Sequence, residues 1–162
     1  MTQLLAEKIQ DANFEPDVIF AICPGGAMIS EWLSQRFLGN RSAPIPVQLL
    51  YMRPEKKNSI VETRMMEVDK KLTAISSFLP ENPKVLLVND ISRGGHTLYS
   101  ACDFLNKMLP DGDIRSATLI CNKDANAKPN YYVALTTKAV RFEWKSYDEK
   151  DQSISDFKES LR

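Results

Sequence analysis

Apolar positions along the chain follow two different periods. Short, almost continuous apolar runs alternate with segments in which apolar residues recur every three or four positions. The continuous runs predict strands buried on both faces, and the wider spacing predicts helices with one buried stripe. The predicted strands are DVIFAIC (17–23), PVQLLYM (46–52), KVLLVND (84–90) and SATLICN (116–122). The predicted helical stripes are Leu4, Leu5, Ile9 and Ala12; Met28, Ile29, Trp32, Leu33 and Phe37; and Leu98, Ala101, Cys102, Leu105, Met108 and Leu109.

A longer stripe lies between the second and third predicted strands. Its members are Val61, Met65, Val68, Leu72, Ile75 and Leu79. Spacings of four and three predict a helix of roughly five turns over 61–79, which either packs on the sheet or forms a dimer seam. The polar stretch RPEKKNS (53–59) ends the second strand and is either a solvated loop or a lid over a ligand.

The pattern changes after Asn122. Two aromatic-rich segments, KPNYYVAL (128–135) and AVRFEW (139–144), predict short strands, and apolar residues at 154, 157 and 161 predict a short helix after Ser153. The alternation of strands and helices predicts an α/β fold, with a Rossmann-like, mostly parallel sheet and helices on both faces of that sheet. We expect one domain over 1–162, with ligands bound beyond the carboxyl ends of the strands.

Composition and charge narrow the function classes. The 21 basic residues balance the 21 acidic ones with no block of like charge, which argues against a nucleic-acid partner. We find neither a leader pattern nor an apolar run of membrane length, so a cytoplasmic location and no membrane partner are expected. Cys23, Cys102 and Cys121 lie far apart, and His96 is the single histidine, which argues against a disulfide framework or a structural zinc site.

Candidate chemistry concentrates in two glycine loops at predicted strand ends, CPGG (23–26) and NDISRGGHT (89–97). Successive backbone N–H groups that lead into a helix form a donor-rich concave surface, and the hydroxyls of Ser92 and Thr97 add donors suited to a monophosphate. Asp90 would accept hydrogen bonds from ribose hydroxyls or hold a metal-bound water. The alternative is a tight strand-to-helix connection without a ligand.

Three segments together resemble one enzyme family. VLLVNDISRGGHTL (85–98) is similar to the signature of the type I phosphoribosyltransferases. EKIQDANFEPDVIFAICPGGAMISEWLSQRFL (7–38) resembles the stretch that carries the pyrophosphate loop of that family. PNYYVALTTKAVRFEW (129–144) resembles the C-terminal hood of its xanthine and 6-oxopurine branch. The resemblance implies the type I phosphoribosyltransferase fold, with a small aromatic-rich hood and base-binding segment over 122–148.

The resemblance also implies a reaction and a set of roles. A purine-type base replaces the pyrophosphate of phosphoribosyl pyrophosphate, with Mg²⁺ on the pyrophosphate. Asn89, Asp90 and Arg93 take the catalytic positions; Asn89 and Asp90 hold the ribose hydroxyls, and Asp90 also reaches the metal indirectly. The other assignments are Ser92, Arg93, Gly94, Gly95, His96 and Thr97 for the 5′-phosphate; Cys23, Pro24, Gly25, Gly26 and Arg53 for the pyrophosphate; and Lys123, Val140, Phe142 and Trp144 for the base.

Four positions depart from the family pattern. Asn89 replaces an acid, and Arg93 replaces the acid that acts beside N7 of the base; a guanidinium stays protonated and cannot serve as a general base. Pro24 replaces a basic residue and predicts a cis Cys23–Pro24 peptide. Ala139 replaces an aromatic residue, so Phe142, Trp144 or Tyr132 would have to stack on the base.

Three hypotheses follow for function. The first is an Mg²⁺-dependent transferase acting on phosphoribosyl pyrophosphate and a 6-oxopurine or related base, in a chain that self-associates as a dimer. The second is a protein of the same fold that has lost transfer activity and binds a nucleotide or phosphoribosyl pyrophosphate as a sensor or partner protein. The third is a thiol hydrolase that uses Cys23, whose pKa a nearby anion site would lower; no histidine partner is evident for it, and the alternative for Cys23 is an ordinary buried thiol.

Overall fold

The computed structural model describes residues 1–39, 42–57, 60–67, 77–142 and 152–153. The helices are α1 (Thr2–Asp11), α2 (Gly25–Arg36) and α3 (His96–Met108). The strands are β1 (Val18–Cys23), β2 (Val47–Lys57), β3 (Ile60–Glu67), β4 (Lys84–Ser92), β5 (Asp113–Asn122), β6 (Tyr131–Thr136), β7 (Val140–Arg141) and β8 (Gln152–Ser153). Across these ranges, no helix is long and apolar enough to cross a membrane.

Six strands form the central sheet in the order β3-β2-β1-β4-β5-β6. The five strands from β2 to β6 in that order are parallel, as the alternation of elements predicts, and β3 joins β2 as an antiparallel edge. Strands β1 and β4 are direct neighbours, with Ala21 opposite Val88. The loops that follow β1 and β4 therefore emerge side by side at the carboxyl edge of the sheet.

The two faces of the sheet are covered by different helices, which confirms the expected layers. Successive residues of a strand point to opposite faces, so Ile19 and Val88 pack beneath α1 and α2, whereas Phe20 and Leu87 pack beneath α3. The buried helical residues are Leu5, Ala6 and Ile9 of α1; Ile29 and Leu33 of α2; and Leu98, Ala101 and Leu105 of α3. In β4, Leu86 packs in the layer beneath α1 and α2, and Val85 packs in the layer beneath α3.

The predicted helical stripes are wider than the stripes that pack. Leu4, Ala12, Met28 and Trp32 were expected to be buried, but all four are exposed. A helix lying on a sheet buries only the narrow strip that faces the strands, so residues at the edge of an apolar stripe remain in solvent. Met28 and Trp32 line an open groove against the β2 residues Val47 and Leu49.

The helix predicted over 61–79 is wrong at its start, because Ile60–Glu67 forms β3. The sequence IVETRMME alternates branched or apolar residues with charged ones, and a spacing of four between Val61 and Met65 fits a strand as well as a helix. Pairing with β2 then decides the conformation. Residues 68–76 lie outside the described residues, and Leu79 lies in no helix.

Strand β2 is also longer than predicted. It continues past Met52 to Lys57, through most of the polar stretch that was expected to be a loop or lid. The reason is the antiparallel ladder with β3, which runs from Tyr51 opposite Glu67 to Lys57 opposite Ile60. Backbone pairing does not require apolar side chains, so polar composition alone could not mark the end of this strand.

The segment after β5 contains the two predicted short strands, β6 and β7. β6 completes the central sheet beside β5, and β7 pairs with β8 in a separate two-stranded sheet. Phe142 is described, but Trp144 and the predicted helix after Ser153 lie outside the described residues. The aromatic-rich hood over 122–148 therefore stays a prediction.

Candidate functional site

The two glycine loops meet at the carboxyl edge of the sheet. Gly25 begins α2 directly after β1, and Asp90 lies near the end of β4. A Cβ atom placed on Gly25 would collide with the carboxylate of Asp90, and one placed on Gly26 would collide with the carbonyl oxygen of Val88. Only residues without a side chain allow α2 to start this close to β4, which explains the Gly-Gly pair at this position.

Asp90 is completely buried beneath this contact. Its Oδ1 accepts a hydrogen bond from the backbone N–H of Ile91 at 2.8 Å. Asn89 accepts the backbone N–H of Asp90 on Oδ1 at 2.9 Å and donates Nδ2 to the carbonyl oxygen of Ile91 at 3.1 Å. The side chains of Asn89 and Asp90, two of the three residues predicted for the catalytic positions, are therefore fixed by the backbone of their own loop.

The Cys23–Pro24 peptide is cis, as predicted. Cys23 is half-buried, and its Sγ lies 3.7 Å from the carbonyl oxygen of Ala21. Burial raises the pKa of the Cys23 thiol, and a hydrogen bond with the Tyr51 side chain opposes that increase. A raised pKa fits an ordinary buried thiol and removes the lowered pKa that the thiol-hydrolase hypothesis requires, because desolvation outweighs the favourable contact. This direction argues against Cys23 as a nucleophile.

The phosphate loop, residues 92–97, runs from β4 into α3. Gly95 has a φ of 87°, a left-handed conformation that favours glycine, and stands immediately before His96. No described side chain caps the start of α3 with a hydrogen bond. The first N–H groups of a helix need acceptors, and an anion at this position supplies them. His96 is exposed and Thr97 is half-buried.

Asn126 and Ala127 contact the phosphate loop and hold it in place. Ser92 donates its hydroxyl to the carbonyl oxygen of Ala127 at 3.1 Å, and the backbone N–H of Asn126 donates to the carbonyl oxygen of Gly94 at 3.2 Å. A Cβ on Gly95 would lie 2.6 Å from the backbone nitrogen of Ala127. Sequence reasoning missed Asn126 and Ala127, although the neighbouring positions of β4 and β5 in a parallel sheet could have suggested the contact.

The predicted base-binding residues divide into exposed and buried groups. Lys123 is exposed, and its backbone N–H donates to the carbonyl oxygen of Thr136 at 2.8 Å. Val140 and Phe142 are fully buried and belong to the core beneath α1 and α2. Arg93, an exposed residue of the phosphate loop, donates Nη2 to the carbonyl oxygen of Val140 at 2.9 Å. The loop and β7 are thus directly linked.

Two adjacent tyrosines begin β6, and the second of them, Tyr132, is one of the residues expected to stack on the base. Tyr131 is buried, accepts a hydrogen bond from Arg115 at 2.9 Å and lies 6.2 Å from the ring of Phe14, all within the core. Tyr132 is half-buried, with the ammonium of Lys8 5.9 Å from its ring centre. Both rings therefore contact protein side chains.

Arg53, which was predicted to bind the pyrophosphate, pairs through its backbone with Arg64. The side chain of Arg53 lies outside the described part of the structure.

The donor set suits a divalent cation that arrives with a phosphorylated ligand. Asp90 supplies one carboxylate, and the described residues contain no group of three or more histidine, cysteine or acidic side chains that could hold a metal by themselves. Mg²⁺ commonly keeps several waters and binds through one or two carboxylates together with substrate phosphates. A single carboxylate beside the two glycine loops fits that mode of binding.

Structural comparison finds the same fold in two phosphoribosyltransferases and in one hypothetical protein. A purine phosphoribosyltransferase from Pyrococcus horikoshii is 25% identical with a TM-score of 0.72, covering 90% of this chain and 87% of its own. A hypoxanthine phosphoribosyltransferase from Staphylococcus aureus is 19% identical with a TM-score of 0.67, covering 91% and 77%. A hypothetical protein from Neisseria gonorrhoeae with bound ppGpp is 21% identical with a TM-score of 0.68, covering 91% and 84%.

Family comparison gives the same result over most of the sequence. No curated protein matches the chain at a significant level. The phosphoribosyl transferase domain family, however, matches residues 1–152, which include both glycine loops and strands β1 to β7. Together with the fold and the paired loops at the carboxyl edge, this match shows that the chain belongs to the phosphoribosyl transferase domain family, a family of transferase enzymes.

Proposed function

We propose that the chain transfers the 5-phosphoribosyl group of phosphoribosyl pyrophosphate to a purine-type base, a 6-oxopurine or a related base, and releases pyrophosphate. The observation that carries this proposal is the contact of Gly25 with the buried Asp90, because it brings the two glycine loops, 23–26 and 89–97, together at a single carboxylate. The similarity to the Pyrococcus horikoshii enzyme supports the choice of a purine base.

The residues of the site would act mainly by positioning. The N–H groups of the phosphate loop and the start of α3 hold the 5′-phosphate, and Asp90 and Asn89 lie where they would orient the ribose hydroxyls. The loop at 23–26 receives the departing pyrophosphate. Mg²⁺, when bound, would neutralise pyrophosphate charge. A buried carboxylate near the ribose also stabilises the positive charge that develops on the sugar ring during transfer.

The experiment that tests this proposal is pyrophosphate release from purified protein with Mg²⁺, phosphoribosyl pyrophosphate and a panel of xanthine, guanine, hypoxanthine and adenine. We expect release with at least one oxopurine and a loss of at least about 100-fold in Asp90→Asn, because a carboxylate beside a developing cation is worth several kcal/mol. An Asp111→Asn variant, altered at an exposed turn before β5, is the matched control. Full activity of Asp90→Asn would contradict the assignment.

A second function has specific support. Arg93 occupies the position of the expected proton acceptor, and the similar protein from Neisseria gonorrhoeae is described with bound ppGpp. A protein that binds a nucleotide or phosphoribosyl pyrophosphate as a sensor, without turnover, would satisfy both observations. Thermal stabilisation by a nucleotide together with no pyrophosphate release from any base would favour this function over transfer.

Self-association as a dimer and a cytoplasmic location stay predictions from the resemblance and the sequence. Light scattering during size-exclusion chromatography measures the first directly. A mass of about 18.4 kDa at micromolar concentration would exclude a stable dimer.

A further inference from the structure

An apolar surface on α2 and β2 lies outside the core. Met28 is 63% exposed and Trp32 is 39% exposed, and both lie on the side of α2 that faces away from the sheet. Leu49 and Tyr51 of β2 are also exposed, and as alternate residues of one strand they project to the same face of the sheet. These four residues, here named the α2–β2 face, are half of the eight large apolar side chains exposed in the described residues. A clustered apolar surface of this kind marks an interaction site.

Two opposite charges flank the apolar side of α2. Met28, Trp32 and Gln35 are spaced by four and three positions and form one stripe, with Glu31 on one side of it and Arg36 on the other. Both charged side chains are exposed and line the groove between α2 and β2. Within the described residues, Arg36 forms no ion pair, and Glu31 accepts only a long hydrogen bond from Gln35, at 3.4 Å.

This order of residues is complementary to itself. In a pair of parallel helices, the side chains at heptad positions a and d meet at the seam, and opposite charges at g and e pair across it. Met28 and Gln35 fall at d, and Trp32 falls at a. Glu31 then takes position g, and Arg36 takes the following position e. A second copy related by a twofold axis would place its Arg36 against Glu31 and its Glu31 against Arg36, the reciprocal contact of an isologous dimer.

We propose that the α2–β2 face binds a second copy of this chain, in a twofold dimer in which Glu31 of each copy pairs with Arg36 of the other. The apolar side chains of the face are covered by the same side chains of the second copy. Gly25 and Gly26 open the same helix, so the interface begins two residues after the glycine loop at 23–26. The dimer does not depend on the proposed function, because its evidence lies outside the candidate site.

The test reverses the two charges in the full chain. Sedimentation equilibrium from low to high micromolar concentration gives the mass and the dissociation constant of the unmodified protein, of Glu31→Arg, of Arg36→Glu and of the double variant. An equimolar mixture of the two single variants is measured in the same way. Asp111→Arg, a charge reversal at an exposed turn before β5, is the matched control, and circular dichroism checks that each variant is folded.

The unmodified protein and Asp111→Arg should sediment with twice the monomer mass of 18.4 kDa. Each single reversal places like charges together at both symmetry-related contacts, so the dissociation constant should rise at least about tenfold. The mixture of Glu31→Arg with Arg36→Glu should restore the dimer, because each contact then joins an arginine with a glutamate. The double variant should dimerise for the same reason.

Three results would overturn the proposal: a monomer mass for the unmodified protein at high micromolar concentration, a dimer that neither reversal weakens, or a mixture that dimerises no better than the single variants. If a single variant does not fold, the double variant and Trp32→Glu decide, since the first must dimerise and the second, with a charge in the apolar stripe, must not. None of these measurements involves turnover, so failure of the transferase function would leave the result unchanged.

Discussion

At the scale of single residues, Gly25 and Asp90 depend on each other although 64 positions separate them in the chain. The missing side chain of Gly25 leaves the space that the Asp90 carboxylate fills. Asn89 and Asp90 are held by backbone groups of their own loop, so the position of the carboxylate is set from two sides. The two sequence motifs that carry the glycines and the acid are therefore parts of one structural unit.

Replacement of Gly25 by alanine should disturb this unit. The added Cβ collides with the carboxylate, so we expect the free energy of unfolding to fall by about 1–3 kcal/mol and the affinity for phosphoribosyl pyrophosphate to fall more than tenfold. Chemical denaturation and calorimetry measure the two effects. Gly112→Ala, at a turn where the nearest atom lies 3.2 Å from the added Cβ, should retain normal affinity. Unchanged affinity in Gly25→Ala would show that the loop can move away from Asp90 without loss.

The thiol of Cys23 gives a second prediction at this scale. Because burial raises the pKa of Cys23, its thiolate fraction near neutral pH should be smaller than that of an ordinary thiol, and only the thiolate reacts with iodoacetamide. Mass spectrometry of the modified peptide should show a pH midpoint for alkylation that is higher in the folded protein than in urea. Restricted access of the reagent would also slow alkylation, but it lowers the rate at every pH and leaves the midpoint unchanged. The midpoint therefore distinguishes a raised pKa from restricted access.

The Tyr51 side chain provides the control for this prediction. Its hydrogen bond lowers the pKa of Cys23, so Tyr51→Phe should move the midpoint of alkylation still higher. A midpoint below that of the denatured chain would contradict the assignment of Cys23 as a desolvated thiol and would revive its candidacy as a nucleophile.

At the scale of elements, the loops of the site are held by segments that follow other strands. Asn126 and Ala127, after β5, contact the phosphate loop after β4, and Arg93 joins that loop to β7. The opposite edge of the sheet has its own connection: Arg115 of β5 donates to Tyr131 and to Asp113, and its guanidinium lies 4.5 Å from the ring centre of Phe14, just after α1. Stability and binding should therefore respond to different substitutions.

Removal of the Arg115 side chain tests whether stability can change without a change in ligand binding. The hydrogen bonds with Asp113 and Tyr131 raise the pKa of Arg115, so it stays charged and contributes equally at every working pH. We expect Arg115→Ala to lower the free energy of unfolding by about 1–2 kcal/mol, through the lost bond to Tyr131 and the lost contact with Phe14. Affinity for a nucleotide should stay within about threefold, since Arg115 lies at the amino end of β5.

The control for Arg115→Ala is Lys107→Ala. Lys107 pairs with Asp103 at 2.7 Å on the exposed surface of α3, where solvent screening leaves such a pair with little effect on stability. A stability loss no larger for Arg115→Ala than for Lys107→Ala would show that the cluster at the amino edge is as weak as a surface ion pair.

At the scale of the whole molecule, a ligand that binds both glycine loops stabilises the sheet as a unit. Strands β1 and β4 lie at the centre of the sheet, so local opening of the site exposes the core on both faces. A ligand present at about 100 times its Kd adds about 2.7 kcal/mol to the free energy of unfolding. For a chain of 162 residues, that corresponds to a rise in Tm of roughly 5–10 °C.

Differential scanning fluorimetry with a nucleoside monophosphate, and with phosphoribosyl pyrophosphate in the presence and absence of Mg²⁺, measures this stabilisation. We expect Mg²⁺ to increase the effect of phosphoribosyl pyrophosphate, because a single carboxylate must otherwise face the charge of the pyrophosphate. A Tm that none of these ligands raises would contradict both proposed functions, whereas equal shifts with and without Mg²⁺ would contradict only the part assigned to the metal.

The sequence by itself determined the layers of this protein and predicted the location of its candidate site. Continuous apolar runs identified β1, β2, β4 and β5, because a strand buried on both faces needs apolar residues at successive positions. Glycines after β1 and β4 identified the two loops, because these turns need backbone conformations or close contacts that other residues do not allow. The tertiary structure alone decided the rest. A spacing of four fits a strand and a helix, so only pairing with β2 made Ile60–Glu67 a strand. Asp90 contacts Gly25 and Arg93 contacts Val140, and the members of each pair are distant in the chain. Local sequence patterns do not specify such contacts, because they depend on how the strands are ordered in the sheet.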